Sequence, residues 1–554
     1  MHALRLDQAA PILARRLKSV AGYVFLRRGP GRHGKQSGMT KTNATEWWRG
    51  ATIYQIYPRS FADSNGDGVG DLPGITAHLD HVARLGADAI WISPFFTSPM
   101  ADFDALVARA HDLGLRVTID LVFAHTSDHH AWFAQSRTSR DGERADWYVW
   151  HDAKADGTPP NNWQSVFGGP AWTWDARRGQ YYYHQFLKEQ PQLNVHLPAV
   201  QDALLDVVRF WLDRGVDGFR FDALNHAMFD PALTDNPPSD KPGPRTRPYD
   251  FQLKSFSQGH PDVVGLVERI RTVCDGYGAI FTVAEVGGDD AMPLMKAYTA
   301  GNHRLSSAYG FDFLYAPALT AALVAKVMRD WPDKPGRDGL AEGWPSWAFE
   351  NHDAPRCLSR WADDATRPAF ARLAMALLGC LRGNIFVYQG QELGLLQDAI
   401  PFHLLKDPEA IANWPLTLGR DGVRTPMPWA ANAPHGGFTT GEPWLPLSPG
   451  NIARAVDAQD GDPEALLTHT RHVLALRRAH PALRLGAIDH LRVHGDVLSF
   501  TRRFGTQGVH CAFNIGAGAH AHTSSPGETI LSVNGATRAH LPPWGALLVE
   551  HKAT

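Results

Sequence analysis

The stretch that decides the fold is Asp217-Gly218-Phe219-Arg220-Phe221-Asp222-Ala223, a short apolar and aromatic run that ends in two charged residues. Successive side chains of a strand point to opposite faces, so Arg220 and Asp222 share one face. A guanidinium beside a carboxylate keeps that carboxylate ionised, which suits a nucleophile. An isolated Arg-x-Asp can equally be a structural ion pair at a strand end, so the choice depends on the rest of the chain.

Strand-like and helix-like stretches alternate on both sides of this run. Strands are predicted at 51–61, 88–96, 115–125, 216–222, 279–286, 306–314, 346–353 and 384–389. Helices are predicted at 75–85, 102–113, 203–214, 262–274, 370–381 and 464–479. Eight strands alternating with helices predict an α/β fold, a (β/α)8 TIM barrel. A doubly wound open sheet is the alternative, and the barrel is favoured because polar residues end many separate strands.

Composition shifts predict three further segments. Residues 126–199 lack a clear period and are rich in Trp, Tyr, Asp and Gly, which predicts an irregular domain inserted after strand 3. Short strand-like runs between Gly and Pro turns predict a C-terminal all-β sandwich domain. The expected domains are a disordered or non-native extension (1–38), the catalytic barrel (39–125 and 200–486), the inserted domain (126–199) and the β domain (487–554).

Composition and charge limit the class of protein. The 554 residues are 44% hydrophobic and 20% charged, and the net charge of −3 argues against nucleic acid or an anionic membrane as a partner. No apolar run is long enough to span a membrane and no credible secretion signal is present, so we expect a cytoplasmic protein. We also expect it to be a monomer or a homodimer. The four cysteines have no C-x-x-C spacing, which favours buried free thiols over disulfides or a zinc site.

Acidic residues end four of the predicted strands. They are Asp120, Asp222, Glu285 and Asp353, at the ends of the third, fourth, fifth and seventh strands. One acid can cap a helix, but several at one barrel mouth repel each other unless they share a task. Two carboxyl groups in different environments can cleave a glycosidic bond, one as ionised nucleophile and the other as protonated acid.

The surroundings of two of these acids indicate their roles. Asp222 beside Arg220 fits the nucleophile, whereas Glu285 follows the apolar run 281–284 and fits the acid, because burial raises the pKa of a carboxyl group. We expect Asp353 and His352 to hydrogen-bond sugar hydroxyls.

In this order the motifs resemble the α-amylase family of glycoside hydrolases, and within it the α-glucosidase and oligo-1,6-glucosidase branch. The similar stretches are 120–125, 218–222, Glu285 with its strand, 351–353, Gln190-Pro191-Gln192-Leu193-Asn194 and 419–429. The resemblance implies that Asp222 is the nucleophile, Glu285 the acid/base and Asp353 the stabiliser of the transition state. It also implies that the sugar is held or enclosed by His125, Arg220, His352, Phe167, Phe186 and Arg424.

A polar loop after the first strand reads Asp63-Ser64-Asn65-Gly66-Asp67-Gly68-Val69-Gly70-Asp71. Its alternating oxygen ligands resemble the first half of an EF-hand without the closing Glu. We therefore expect a structural Ca²⁺ or Mg²⁺ held by Asp63, Asn65, Asp67, Val69 and Asp71. A polar turn without an ion is the alternative, and in either case the loop takes no part in the chemistry.

Two features depart from the family pattern or refine it. The stretch Pro94-Phe95-Phe96-Thr97-Ser98-Pro99-Met100 leads almost directly into the next helix, whereas relatives have a longer loop with Tyr and Asp residues that hold the non-reducing glucose. Their absence predicts weaker binding and a lower rate. In this branch Val after the nucleophile goes with α-1,6 preference, so Ala223 indicates α-1,4 linkages.

The expected function is therefore a retaining α-glucosidase. It would hydrolyse short, maltose-like α-glucosides from the non-reducing end through a covalent glucosyl-Asp intermediate. One alternative is a transglucosylase or a sucrose or trehalose isomerase, in which an acceptor other than water takes the glucosyl group. Another is a catalytically impaired carbohydrate-binding relative, which the short loop favours and the presence of all three carboxyl groups opposes.

Overall fold

The computed structural model describes residues 46–95, 98–243, 245–289, 291–331, 343–417, 419–524 and 526–552. The predicted extension at 1–38 lies outside the described residues, as do Phe96 and Thr97 of the loop after the second strand. Within the described ranges, every helix is too short or too polar to cross a bilayer.

Eight parallel strands close into a barrel, which confirms the predicted fold. They are β1 (Thr52–Ile56), β2 (Ala89–Ile92), β3 (Arg116–Val122), β4 (Gly218–Asp222), β5 (Phe281–Glu285), β6 (Ser307–Tyr309), β7 (Trp344–Trp347) and β8 (Asn384–Tyr388). β1 pairs with both β2 and β8, so the barrel has no open edge. Ile53, Trp91 and Val283 belong to a buried apolar cluster, as expected for a barrel filled by side chains, whose sites lie at its C-terminal mouth.

One long helix follows each strand. The eight are α1 (Leu72–Leu85), α2 (Met100–Asp112), α3 (Pro198–Leu212), α4 (Val263–Asp275), α5 (Ala291–Thr299), α6 (Ala321–Asp330), α7 (Arg367–Cys380) and α8 (Leu466–Ala479). The first illustrates why they form: Ile75, Leu79 and Val82 bury one face at helical spacing. Asp71 caps it by accepting a hydrogen bond from the Gly74 N–H at 2.7 Å.

The inserted segment is more regular than the sequence indicated. It contains a three-stranded sheet made of Trp150–His151, Gln180–Tyr183 and Trp172–Asp175. These strands are two to four residues long, too short for an alternating pattern to be recognised. Trp163, packed with Trp172 and Tyr183, forms the core of this small domain.

The C-terminal region is all-β, as predicted. A five-stranded antiparallel sheet is formed by Ala487–His494, Val497–Phe504, Gln507–Asn514, Ala546–Lys552 and Glu528–Val533. A two-stranded sheet of His520–Ala521 and His540–Leu541 accompanies it.

The seventh strand is shorter than predicted, because its polar end forms a turn. β7 ends at Trp347, and the Asn351 side chain accepts hydrogen bonds from the N–H groups of Asp353 (2.9 Å) and Ala354 (2.8 Å). An extended strand does not make such local bonds. The sixth strand is likewise confined to Ser307–Tyr309, whereas 306–314 was expected.

Candidate active site

Three neighbouring strands bring three carboxyl groups to one buried guanidinium. Arg220 at the end of β4 donates from Nη1 to Asp120 Oδ1 at 2.6 Å and to Asp222 Oδ1 at 2.5 Å. Its Nη2 lies 2.5 Å from Glu285 Oε2 at the end of β5. The predicted pair of Arg220 and Asp222 is therefore present, and the same cation binds the predicted acid.

Exposure separates the carboxyl groups of the site. The side chains of Asp222 and Asp353 are each 26% exposed, whereas those of Glu285 and Asp120 are 8% and 0% exposed. Asp222 and Asp353 therefore face the open mouth of the barrel. Asp120 lies beneath them, where it accepts a hydrogen bond from the Trp91 indole at 3.2 Å, and serves as a buried counter-charge for the guanidinium.

Glu285 has the surroundings of a proton donor. Burial raises the pKa of Glu285 to about 7, Arg220 opposes this rise, and the negative charges of Asp222 and Asp353 add to it. A carboxyl group with this pKa is partly protonated at neutral pH, as general acid catalysis requires.

Two donors orient the Glu285 carboxyl group. The Tyr309 hydroxyl donates to Oε1 at 3.2 Å and the Ala223 N–H donates to Oε2 at 3.1 Å. Ala223 adopts a left-handed conformation (φ 40°, ψ 45°), which is uncommon for a residue with a side chain. Such conformations concentrate at functional sites, and here the turned backbone is the one that donates to the acid.

A second set of charges surrounds Asp353. Arg424 donates to Asp353 Oδ1, Arg420 Nη1 lies 3.3 Å from the same oxygen, and His352 Nε2 lies 3.2 Å from Oδ2. Burial opposes ionisation, but His352, Arg424 and Arg420 hold the pKa of Asp353 well below its ordinary value. Because burial lowers the pKa of His352 itself to about 4, the two guanidinium groups are the charges that act at neutral pH.

The inserted domain contributes an aromatic wall. The ring of Phe186 lies 5.3 Å from that of His125 and 5.8 Å from that of Phe167. The Arg420 guanidinium covers Phe167 at 4.9 Å, so the wall continues to Asp353. His125 Nε2 accepts from the Gln190 amide at 2.8 Å, consistent with burial lowering the pKa of His125 to about 4. The predicted residues of this wall therefore form one connected surface.

Sequence reasoning missed three residues that organise this site. The ring of Tyr57 stacks on His352 at 5.8 Å and lies 5.1 Å from the Arg424 guanidinium, and the Tyr309 hydroxyl accepts from Arg220 Nε at 3.2 Å. Arg420 was part of a quoted motif without a role. Tyr57 and Tyr309 stand at or directly after the ends of β1 and β6, and that position was the available signal.

The predicted cation loop is a compact turn in the structure. Asp63 accepts from the N–H groups of Asn65 (3.0 Å) and Gly68 (2.7 Å), and Asp67 accepts from Val69 N at 2.9 Å. Among the described residues, the carboxylate oxygens of Asp63, Asp67 and Asp71 do not all lie within 4.8 Å of one another. The all-oxygen donor set still fits a hard cation, which would draw these side chains together.

The loop after β2 is as short as the sequence indicated. Seven residues separate Ile92 from Met100, and two of them lie outside the described part of the chain. The ring of Phe95 stacks on Phe103 of α2 at 5.0 Å, so the beginning of the loop is held against the barrel.

The chain is similar to known glycosidases over most of its length. A family model described as the catalytic domain of alpha amylase matches residues 55–486. A probable alpha-glucosidase of Rhizobium meliloti (strain 1021) is 49% identical over 498 residues, covering 85% of this chain and 89% of the relative. An oligo-1,6-glucosidase of Halalkalibacterium halodurans is 35% identical over 535 residues, covering 88% and 94% of the two chains.

Solved structures of two transferring or isomerising enzymes also resemble it. The alpha-glucosyl transfer enzyme XgtA superposes with a TM-score of 0.86 at 45% identity, over 92% of this chain and 100% of the other. The trehalulose synthase MutB of Pseudomonas mesoacidophila MX-45 superposes with a TM-score of 0.81 at 30% identity, over 91% and 99%. With the barrel and the family model, these similarities show that the chain belongs to the α-amylase family of glycoside hydrolases, in the α-glucosidase and oligo-1,6-glucosidase branch.

Proposed function

We propose that the protein is a retaining α-glucosidase that removes glucose from the non-reducing end of short α-glucosides. The observation that carries this proposal is the single guanidinium of Arg220, which binds both Asp222 and Glu285. Carboxyl groups that share one guanidinium are close neighbours. Retaining glycosidases need this closeness, with the two groups roughly 5–5.5 Å apart, whereas inverting enzymes keep them farther apart to admit water.

In the proposed mechanism, an oxygen of Asp222 attacks the anomeric carbon and displaces the leaving group. Glu285 donates its proton to the departing oxygen, which leaves a covalent glucosyl ester on Asp222. Glu285, now ionised, takes a proton from water, and the resulting hydroxide opens the ester to release α-glucose. Two inversions thus give net retention.

The remaining residues hold the sugar and its developing charge. Asp353, kept ionised by Arg424 and Arg420, accepts hydrogen bonds from sugar hydroxyls and stabilises the positive charge of the oxocarbenium-like transition state. His125, His352, Phe167 and Phe186 line the pocket. The Ca²⁺ or Mg²⁺ proposed for Asp63, Asn65, Asp67, Val69 and Asp71 would stiffen the loop after β1.

Azide rescue tests the roles of the two carboxyl groups. With an activated aryl α-glucoside, Asp222→Gly should be inactive until azide is added, and should then yield the β-glucosyl azide by one inversion. Glu285→Ala should yield the α-glucosyl azide, since azide replaces water in the second step. The same anomer from both variants would contradict the assignment.

The proposed α-1,4 preference rests on Ala223. Ala223→Val should raise the ratio of isomaltose to maltose hydrolysis, measured as kcat/KM for each disaccharide. Ala223→Gly is the matched control: it relieves the left-handed conformation and should leave that ratio near the value of the unmodified enzyme. Faster cleavage of isomaltose than maltose by the unmodified enzyme would overturn the α-1,4 assignment.

A transglucosylase is the second candidate, favoured by the 45% identity to an alpha-glucosyl transfer enzyme. Hydrolysis and transfer share the glucosyl-Asp222 ester and differ only in the acceptor that opens it. Chromatography of the products formed at increasing maltose concentration separates the two. Each transfer to maltose yields one trisaccharide and one glucose, whereas hydrolysis yields two glucose molecules, so a ratio of trisaccharide to free glucose that approaches one at high maltose would assign transfer as the main reaction.

A further inference from the structure

Three side chains outside the active site converge on one point. His196, His260 and Asp262 each place one ligand atom within 4.8 Å of the other two, and this group of His, Cys, Asp or Glu side chains is the only such set of three or more in the described ranges. His196 precedes α3, and the other two residues precede α4. The cluster therefore joins the end of the inserted domain to the end of the loop after β4.

The hydrogen bonding of His196 prepares one nitrogen for a ligand. Its Nε2 lies 2.8 Å from the Phe229 carbonyl oxygen, which can only accept, so Nε2 carries the proton. Nδ1 therefore has a free lone pair, and it faces Asp262 Oδ2 at 3.9 Å. Metal-binding histidines typically donate their other N–H to a carbonyl or carboxylate in this way.

His260 supplies a second lone pair to the same point. Its Nδ1 accepts a long hydrogen bond from the Asp262 N–H at 3.3 Å and is therefore unprotonated. A bound ion would replace this N–H at the same lone pair, which lies 3.6 Å from Asp262 Oδ2. Bond lengths of 2.0–2.2 Å put the ligand atoms of a tetrahedral zinc ion roughly 3.4 Å apart. The distances of 3.6 and 3.9 Å from the carboxylate oxygen need only a small contraction, which the exposed Asp262 side chain can supply.

The charge around the cluster favours a cation. Asp262 contributes one carboxylate, and Asp230 interacts electrostatically with both His196 and His260. The Asp230 carboxylate accepts hydrogen bonds from the N–H groups of Ala232 at 3.0 Å and Thr234 at 3.2 Å. The cluster therefore combines two imidazole rings with one carboxylate in it and a second carboxylate nearby.

We propose that His196, His260 and Asp262 form a binding site for a transition-metal ion of the Zn²⁺ class, with water completing its coordination. Imidazole with a carboxylate suits zinc, nickel and copper, whereas the oxygen-only loop at 63–71 suits calcium or magnesium. The two sites therefore select different metals.

The bound ion would fasten the loop that follows the proposed nucleophile. This loop begins after Asp222, and near its far end the Gly259 N–H donates to the Asn225 carbonyl oxygen at 2.7 Å. The Asn225 amide donates to the Gly287 carbonyl oxygen at 2.8 Å, two residues beyond Glu285. An ion joining α3 to the start of α4 therefore stabilises the folded state, and Zn²⁺ should raise the Tm of the full chain.

Calorimetric titration with ZnCl₂ tests the site, using the full chain in excess CaCl₂ so that the loop at 63–71 does not interfere. The unmodified protein should bind one tight equivalent. His260→Gln and Asp262→Asn should each weaken binding at least about tenfold. His129→Gln is the matched control and should bind like the unmodified protein. His129 is an exposed histidine 3.8 Å from Asp128, and it belongs to no cluster of three ligands among the described residues.

Cobalt gives an independent readout of the ligands. Co²⁺ should produce visible absorption bands that are lost in His260→Gln, and circular dichroism checks that each variant is folded. Absence of tight Zn²⁺ binding to the unmodified protein would overturn the proposal. Unchanged affinity in folded Asp262→Asn and His260→Gln would also overturn it, because the ion would then bind other surface histidines.

Discussion

Arg220 is the residue on which the site depends most. It is completely buried and binds carboxyl groups from three strands, so its removal would leave Asp120 buried without a counter-charge. Breaking a buried ion pair by removing one partner typically costs about 3–5 kcal/mol. The same guanidinium therefore serves folding and the proposed chemistry, because it binds both carboxyl groups that the proposed reaction uses.

The pKa of Glu285 sets the pH dependence of the reaction. Only protonated Glu285 can donate to the leaving group, so kcat/KM should fall as pH rises through about 7, with the apparent pKa belonging to the coupled cluster. The measurement is a pH profile with maltose. With an activated aryl glucoside, formation of the glucosyl enzyme by Glu285→Gln should no longer slow as the pH rises through about 7. An alkaline limb retained in the variant would assign it to another group.

Tyr309 positions Glu285 and should influence its titration. Tyr309→Phe removes a hydrogen bond to a charged group worth about 1.5–3 kcal/mol, so kcat/KM should fall roughly 10- to 100-fold. Removing a donor to the ionised carboxylate raises its pKa, so the alkaline limb should move to higher pH. Tyr298→Phe is the control for effects on packing alone, because Tyr298 is a buried tyrosine of α5. A lower rate with an unmoved limb would mean that Tyr309 acts only through Arg220.

At the scale of elements, the cation proposed for the loop after β1 should contribute to the stability of the fold. Chelation of divalent ions should lower the Tm of the unmodified protein, because a bound ion stabilises only the folded state. In Asp67→Ala the Tm should already be lower and should not respond to Ca²⁺, as scanning calorimetry can measure. Asp156→Ala is the control. Asp156 is an exposed aspartate of the inserted domain, and its side chain accepts hydrogen bonds from Thr158 in its own turn. A Ca²⁺-independent Tm in the unmodified protein would contradict the cation site.

Strands and their terminal groups could be predicted because barrel geometry is periodic. Polar side chains at the C-terminal ends of barrel strands meet at the mouth. This rule was enough to predict that Asp222, Glu285 and Arg220 lie together. The path of a long loop carries no such period, so the contact of Arg420 with Asp353 could not be predicted from spacing. Glu350 shows that an acidic residue beside a motif need not belong to the site. It directly precedes the motif 351–353, but its carboxylate pairs with Arg356 in the interior at 2.7 Å.

At the scale of the whole molecule, the site is assembled by three parts of the chain. The barrel supplies the carboxyl groups, the inserted domain supplies the aromatic wall, and the long segment after β8 supplies Arg420 and Arg424. Seven residues separate β2 from α2, whereas the family resemblance implies a longer loop, so we expect one side of the mouth to be less enclosed. We therefore expect KM for maltose to be high, while kcat depends on the intact charge cluster.

The most direct test of the account is release of glucose from maltose near neutral pH, with Asp222→Asn measured alongside. The unmodified protein should release glucose, and the variant should lose more than about 10³-fold in rate, because it lacks the attacking carboxylate. Circular dichroism of the variant checks that the barrel is intact. Equal glucose release by both proteins, or none from well-folded unmodified protein on maltose, sucrose and isomaltose, would contradict the assignment of a working α-glucosidase centred on Asp222.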